Sequence, residues 1–207
     1  MTPSDEEHND FQAGFFAREK NAWRALLLYI ALLYATLTLT YDLYISVFNM
    51  LGETWVRRGL LTIFLGIGVA LLAPLGKRLR RDPRRTLPLA LIIGVLIYSM
   101  WDIDVPANQI HFLQYGPLTV LVVEALRFRI QDRQIYPCTA LLVLLVGIGD
   151  ELLQSFLPER RFDPHDVVLN VLAGVLTLGF LGFVWATSPK TSVSASGRKD
   201  SVIFRVI

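Results

Sequence analysis

Two groups of polar side chains interrupt otherwise apolar stretches of this sequence at regular spacings. They comprise His111, Gln114, Tyr115, Glu151, Gln154, Arg160, Asp166 and Asn170. Histidine and carboxylate side chains can transfer protons near neutral pH, and they are the residue types most often used for acid/base catalysis. Arginine is suited to bidentate capture of phosphate or carboxylate groups. The residue types therefore indicate acid/base chemistry beside an anion-binding side chain.

The apolar stretches around these residues indicate a membrane protein. The chain has 207 residues, of which 53% are hydrophobic and 18% charged, and its mean hydropathy is +0.46. This composition is more apolar than that of an ordinary soluble domain. Because a spanning helix needs about 20 apolar residues, we predict an all-α, polytopic integral membrane protein with about six transmembrane helices, or about five if a short run does not cross. The predicted spans are Ala25–Phe48, Gly59–Gly76, Leu87–Trp101, Phe112–Leu126, Pro137–Leu157 and Val167–Ala186.

The distribution of basic residues predicts the orientation of these spans. Lys77–Arg85 is rich in Lys and Arg, with Asp82 as its only acidic residue, so this loop is expected in the cytoplasm. Counting spans from it places both termini inside (N-in/C-in), and we expect the protein in the cytoplasmic (inner) membrane. Residues 1–24 then form a cytoplasmic segment and residues 25–186 the transmembrane domain. Residues 187–207 form a Ser-rich cytoplasmic tail whose composition is typical of disorder.

With this orientation, three helices bring their polar residues to the outer face of the membrane. The predicted fourth span carries His111, Gln114 and Tyr115 on one stripe. The fifth carries Glu151 and Gln154, and the sixth carries Asp166 and Asn170. Spacings of three and four residues place side chains on the same face of a helix. Because polar residues at membrane depth are costly, they usually mark function. The sequence therefore predicts a shared polar pocket at the extracytoplasmic face.

His111 is placed to meet two carboxylates, either of which could orient it as a general base. We therefore predict catalytic roles for His111, Glu151 and Asp166. The predicted substrate-binding residues are Arg160, Gln154, Asn170, Gln114 and Tyr115. No cofactor is predicted. A metal held by the three catalytic side chains is conceivable from ligand type, but the spacing does not require one, and metal-free chemistry is preferred.

Several of these residues also have structural interpretations. Asp163-Pro164 is a typical helix start, so Asp166 could compensate the helix dipole within the first turn. Asn170 could form a hydrogen bond to a neighbouring helix. Tyr115 could belong to an aromatic belt at the membrane interface, and His111 could lie in water there.

Two motifs in the sequence resemble those of VanZ-like membrane proteins. The first comprises Glu151, Gln154, Pro158, Arg160, Asp166 and Asn170. Its pattern is an acidic residue, Gln three residues later, Pro-x-Arg, and Asp with Asn one turn on. The run His111–Gly116 resembles the second motif, and the resemblance covers residues 110–182. Departures occur at Ala107-Asn108, where some relatives carry Asp-Lys, and at Gln114, where others carry Glu.

The resemblance implies a role in the cell envelope, because the family is linked to resistance against the glycopeptide teicoplanin. It does not supply a reaction, and whether the protein is an enzyme stays open. We expect the pocket to act on or bind a lipid or glycan precursor of the envelope. The alternatives are a non-enzymatic module that binds a lipid headgroup or an antibiotic, and a transporter. Transport is disfavoured because the polar residues cluster at one face and not at the midplane.

The expected partners follow from this location and these functions. They are membrane lipid, a lipid-linked envelope precursor or a glycopeptide, and no nucleic acid is expected. The sequence does not indicate the oligomeric state.

Overall fold

All regular secondary structure in the described part of the chain is helical. The computed structural model describes residues 3–72, 86–102, 109–157 and 160–187, and no strand occurs among them. Its helices are α1 (Pro3–Ala35), α2 (Leu37–Leu51), α3 (Glu53–Leu72), α4 (Thr86–Asp102), α5 (Ile110–Leu126), α6 (Ile135–Gln154) and α7 (Pro164–Thr187). The predicted all-α class is confirmed.

Two of the described helices are long and apolar enough to cross a membrane. They are Ile135–Gln154 in α6 and Pro164–Phe183 in α7. A third candidate span combines Gly14–Ala35 with Leu37–Leu51, and these two segments meet at an angle of 55°. Helix α5 is apolar but shorter, at 17 residues. A membrane protein is therefore supported, whereas the count of about six spans stays a prediction.

The orientation also stays a prediction, because its evidence lies outside the described residues. This holds for the basic loop Lys77–Arg85 and for the tail after Thr187. Pro158, one residue of the first motif, is outside them as well.

The first predicted span differs from the helices that the structure has. Ala25–Phe48 was expected as one span, but α1 ends at Ala35 and α2 begins at Leu37. At the break, the Thr36 hydroxyl donates a hydrogen bond to the Leu32 carbonyl at 2.8 Å. Such back-bonding by threonine is a known cause of helix bending. Helix α1 begins at Pro3 and therefore includes residue 24, and the boundary predicted there between a cytoplasmic segment and the transmembrane domain stays a prediction.

Four helices, α1, α5, α6 and α7, form the core of the described structure. Helix α5 packs against the other three, α6 packs along α7, and α4 packs against α7. Helix α2 contacts α1 and α3 and buries none of its residues. The side chains at the centre of the core include Leu26, Leu33, Tyr115, Leu118, Val122, Val143 and Leu169.

Small residues allow α6 and α7 to approach closely. A Cβ atom added at Gly174 would lie 2.9 Å from Cγ1 of Val143, and one added at Gly147 would lie 3.2 Å from Cβ of Asn170. A larger side chain at Gly174 would force its neighbours to shift, and one at Gly147 would have little room, as is common where membrane helices pack. The resulting antiparallel register brings the end of α6 beside the start of α7.

Candidate functional site

The first turns of α5 and α7 place a histidine beside a carboxylate. His111 Nε2 lies 3.6 Å from Asp166 Oδ2, and both side chains are largely buried. Helix α7 begins at Pro164, where Asp163 Oδ1 accepts a hydrogen bond from the His165 backbone N–H at 2.8 Å. The predicted helix start with Asp163 as its N-cap is thus confirmed. Asp166 additionally meets His111 from a different helix, which dipole compensation alone does not require.

Both carboxylate oxygens of Glu151 accept hydrogen bonds from other groups of the protein. Oε2 accepts a hydrogen bond from the Asp163 backbone N–H, and Oε1 accepts one from Gln154 Nε2, both at 3.1 Å. The residue is only 1% exposed. Glu151 therefore connects the end of α6 to the start of α7. The structure does not test the catalytic role predicted for it.

Asp150, which the sequence reasoning did not select, forms a buried pair with Tyr115. The Tyr115 hydroxyl donates a hydrogen bond to Asp150 Oδ2 at 3.1 Å, and the two residues are 0% and 1% exposed. This burial shows that the aromatic-belt interpretation of Tyr115 is wrong. A carboxylate near the end of a long apolar run was the signal that could have identified Asp150.

Two tyrosines of α1 hold this helix against the walls of the site. The Tyr29 hydroxyl donates to the Gln114 carbonyl at 2.8 Å, and the Tyr34 hydroxyl donates to the Val146 carbonyl at 2.9 Å. A Cβ atom added at Gly149 would lie 2.6 Å from the Tyr34 hydroxyl oxygen, so the glycine makes room for that side chain. Helix α1 therefore helps to position the residues on α5 and α6.

A cleft of about 60 Å³ lies where α2, α5, α6 and the start of α7 meet. This volume is enough for several water molecules. Its walls include Leu37, Thr40, Tyr41, Tyr44, Ile110, His111, Gln114, Asp150, Gln154, Arg160 and Asp166. Among the predicted site residues, Tyr115, Glu151 and Asn170 do not line it. The structure thus brings five of the eight predicted residues to the cleft.

Arg160 reaches the cleft from the loop between α6 and α7. Its Cζ atom lies 4.2 Å from the centre of the Tyr41 ring, in a cation–π contact. Within the described residues it forms no ion pair, although Asp150 and Asp166 line the same cleft. The guanidinium is thus held by an aromatic ring, and its hydrogen-bond donors are available to an anion.

Asn170 lies behind the cleft, completely buried against Gly147. Neither its Oδ1 nor its Nδ2 atom forms a hydrogen bond with the residues that the structure describes. The hydrogen bond to a neighbouring helix that was one interpretation of Asn170 is absent among the described residues. A buried amide without partners lowers stability, which is unusual unless the residue serves another purpose.

The sequence was compared with models of known protein families. A family model described as VanZ/LLP1 matches residues 14–186. The chain belongs to the VanZ/LLP1 family. The match is wider than the motif resemblance over residues 110–182 and includes most of α1, which agrees with the contacts of Tyr29 and Tyr34. A comparison with curated proteins gives no match, and neither does one with solved structures.

The cleft of this VanZ/LLP1 protein combines groups for proton transfer with a group for anion binding. His111 and Asp166 stand on one wall, Asp150 comes from α6, and Arg160 comes from the following loop. Within residues 3–72, 86–102, 109–157 and 160–187, no three His, Cys, Asp or Glu side chains lie close enough together to hold a metal ion. These groups can therefore carry out acid/base chemistry on an anionic molecule.

Proposed function

We propose that this VanZ/LLP1 protein acts on a lipid-linked precursor of the cell envelope that carries a phosphate or another anionic group. The proposal rests on the position of Arg160. Its guanidinium stacks on Tyr41 and lines a cleft that also contains acid/base groups. Arginine held in this way suits the geometry of a phosphate or carboxylate. The site would lie at the extracytoplasmic face of the cytoplasmic membrane in a multi-pass protein.

In this proposal the remaining cleft residues divide the chemistry between them. His111 accepts a proton from the attacking group, and Asp166 orients the imidazole ring from 3.6 Å away. Gln114 and Gln154 supply neutral polar contacts from the walls. Glu151 positions the start of α7 through Asp163. No cofactor is required.

A lipid substrate is favoured over a fully soluble one by the surroundings of the cleft. Leu37 and Ile110 line it beside the polar groups, and Leu39 and Leu43 of α2 are 64% and 61% exposed next to it. In a membrane protein, exposed leucines of this kind face hydrocarbon. A substrate with an anionic headgroup and an acyl or polyprenyl chain would match both environments.

The test compares envelope lipids and glycans, by mass spectrometry, between a deletion strain and its parent. We expect the deletion strain to accumulate an anionic lipid-linked species, and expression of the wild-type chain to remove it. Arg160→Gln should fail to remove it, because the anion contact is lost. The matched control is Arg161→Gln, since Arg161 is exposed and does not line the cleft. An unchanged profile in the deletion strain would contradict the enzymatic proposal.

The second candidate is a module that binds a lipid headgroup or an antibiotic without changing it. The stacking of Arg160 on Tyr41 supports this candidate equally, because such a contact provides binding whether or not a proton is transferred. The two candidates predict different effects of the substitutions His111→Asn and Asp166→Asn. Both substitutions should abolish function in an enzyme, whereas a binding module should tolerate them as long as Arg160 is intact. Glycopeptide susceptibility of the same strains tests the link to resistance.

A further inference from the structure

Asp150 and Asp166 each leave one carboxylate oxygen without a hydrogen bond from the described residues, but of the two only Asp166 forms an ion pair with His111. Asp150 Oδ2 accepts the hydrogen bond from the Tyr115 hydroxyl. No donor among the described residues lies within hydrogen-bonding distance of Oδ1, although the Gln154 side chain interacts with the same carboxylate. The residue is almost completely buried, and yet it lines the cleft. A buried carboxylate oxygen without a donor is unfavourable in the absence of a ligand. Oδ1 is itself enclosed beside the cleft, and it is the carboxylate oxygen that would gain a partner from a molecule bound there.

The neighbouring Glu151 does not share this property. Both of its oxygens accept hydrogen bonds, from Gln154 and from the Asp163 backbone, and it does not line the cleft. Successive residues on a helix point about 100° apart, which follows from 3.6 residues per turn. Packing of α6 against α7 and α5 turns Asp150 toward the cleft and Glu151 toward the loop.

We infer that Asp150 is the second proton-transfer group of this cleft, acting opposite His111, and that Tyr115 positions it. The inference rests on the proposed function. His111 supplies the first group, because Asp166 near Nε2 retains the ring proton on that nitrogen. Its Nδ1 atom is buried without a hydrogen-bond partner among the described residues, so it is the ring nitrogen left to accept a proton. Asp150, in its carboxyl form, is then the donor.

The reaction that this pair serves is hydrolysis of a phosphate ester or anhydride on a membrane lipid. Water transfers a proton to His111 Nδ1 while its oxygen bonds to phosphorus, and the guanidinium of Arg160 contacts the phosphate oxygens. The bond from phosphorus to the leaving oxygen breaks, and that oxygen takes the proton of Asp150. The proton on His111 afterwards returns to Asp150, which restores the starting state.

The experiment uses the full-length chain in the deletion strain, with the variants Asp150→Asn, Asp150→Glu and Tyr115→Phe. Asp42→Asn is the matched control, because Asp42 is exposed on α2 and does not line the cleft. Three quantities are measured for each variant: its amount in the membrane, the level of the lipid that accumulates in the deletion strain, and the amount of that lipid that co-purifies with the protein in detergent.

We expect Asp150→Asn to leave the lipid at the level of the deletion strain, since loss of a general acid lowers turnover by about 10²- to 10⁴-fold. More of the lipid should co-purify with this variant than with the wild type, because binding is retained while turnover stops. Asp150→Glu should restore part of the activity, and Tyr115→Phe should reduce it less than Asp150→Asn. A purely structural role for Asp150 would instead lower the membrane level and the co-purified lipid together.

Restoration of the parental lipid profile by Asp150→Asn would overturn the inference while leaving the proposed function intact. If the Asp150→Asn protein does not accumulate in the membrane, the activity of Tyr115→Phe tests the inference instead. Full activity of Tyr115→Phe would overturn it. A deletion strain whose lipids match those of its parent would instead remove the proposed function, and the inference with it.

Discussion

The carboxylate of Glu151 accepts a hydrogen bond from the backbone N–H of Asp163 at 3.1 Å, across the loop between α6 and α7. Asp163 is also the N-cap of α7, so this one contact links the end of the first helix to the start of the second. Asp166 lies in the first turn of α7, beside His111. In our proposal Asp166 orients His111, and its position therefore depends on a contact made by another carboxylate, that of Glu151.

Replacing Glu151 should lower stability. Glu151→Ala removes two hydrogen bonds to a buried carboxylate and leaves the N–H of Asp163 unpaired, which costs about 2 kcal/mol or more. For a chain of this size, we expect the melting temperature in detergent to fall by about 4–8 °C. Glu151→Gln retains an acceptor for Asp163 and should lose about half as much. Differential scanning fluorimetry measures both, with Asp42→Asn as the control. Melting of Glu151→Ala at the wild-type temperature would contradict the structural role of this contact.

Gly149 and Tyr34 should show energetic coupling. A methyl group at position 149 would meet the Tyr34 hydroxyl at 2.6 Å, so Gly149→Ala must displace this tyrosine and break its hydrogen bond to Val146. In the Tyr34→Phe background the hydroxyl is absent, and the same substitution should cost about 1 kcal/mol less. A double-mutant cycle on melting temperatures measures the difference. Additive effects would show that the two residues do not touch.

Asn170→Ala should be neutral or stabilising in the absence of substrate. The amide is buried without a hydrogen bond to the described residues, so its removal relieves an unsatisfied polar group. A hydrogen bond between membrane helices would contribute about 0.6 kcal/mol on average, and its loss would lower the melting temperature. We expect no such decrease, together with a changed envelope-lipid profile in the complemented deletion strain. A clear loss of stability would instead indicate that Asn170 holds two helices together.

Arg160 and Tyr41 should both contribute to binding of an anionic lipid. The probe is phosphatidic acid, a lipid phosphomonoester, and phosphatidylcholine serves as the zwitterionic comparison. Arg160→Gln should weaken phosphatidic acid binding by about tenfold or more, because charge-assisted hydrogen bonds are lost. Tyr41→Leu should weaken it by about two- to fivefold through loss of the cation–π contact.

Native mass spectrometry of the purified protein quantifies the lipid adducts. Arg161→Gln is the control for charge alone, because Arg161 does not line the cleft. Equal losses for Arg160→Gln and Arg161→Gln would show that the interaction is general surface electrostatics.

The sequence predicted the helical class from local composition, and it predicted the meeting of His111 with Asp166 from the placement of both residues at the start of two apolar helices. Long apolar runs can satisfy their backbone only as helices in a membrane, which makes the class a property of composition. The start of α7 is predictable because Asp163 and Pro164 are strong N-terminal signals. Spacing on helical stripes then indicated which residues share a face, although not which face turns toward the cleft.

The features of the site that the sequence did not predict depend on contacts between residues far apart in the chain. Tyr41 lies on α2, beyond the bend at Thr36, and its ring contacts Arg160. Neither the bend nor the contact follows from the apolar pattern of residues 25–48. The contribution of Tyr34 depends on a glycine more than 100 residues away in sequence. Such pairings become visible only when the helices are packed.

Residue types and spacing by themselves determined that this chain is a helical membrane protein with a polar cluster containing His111, Arg160 and Asp166. Only the tertiary structure decided between Asp150 and Glu151, two adjacent carboxylates that the sequence cannot distinguish by position. The physical reason is rotational: neighbours on a helix point about 100° apart, and the packing of α6 against α5 and α7 selects which of them meets the cleft.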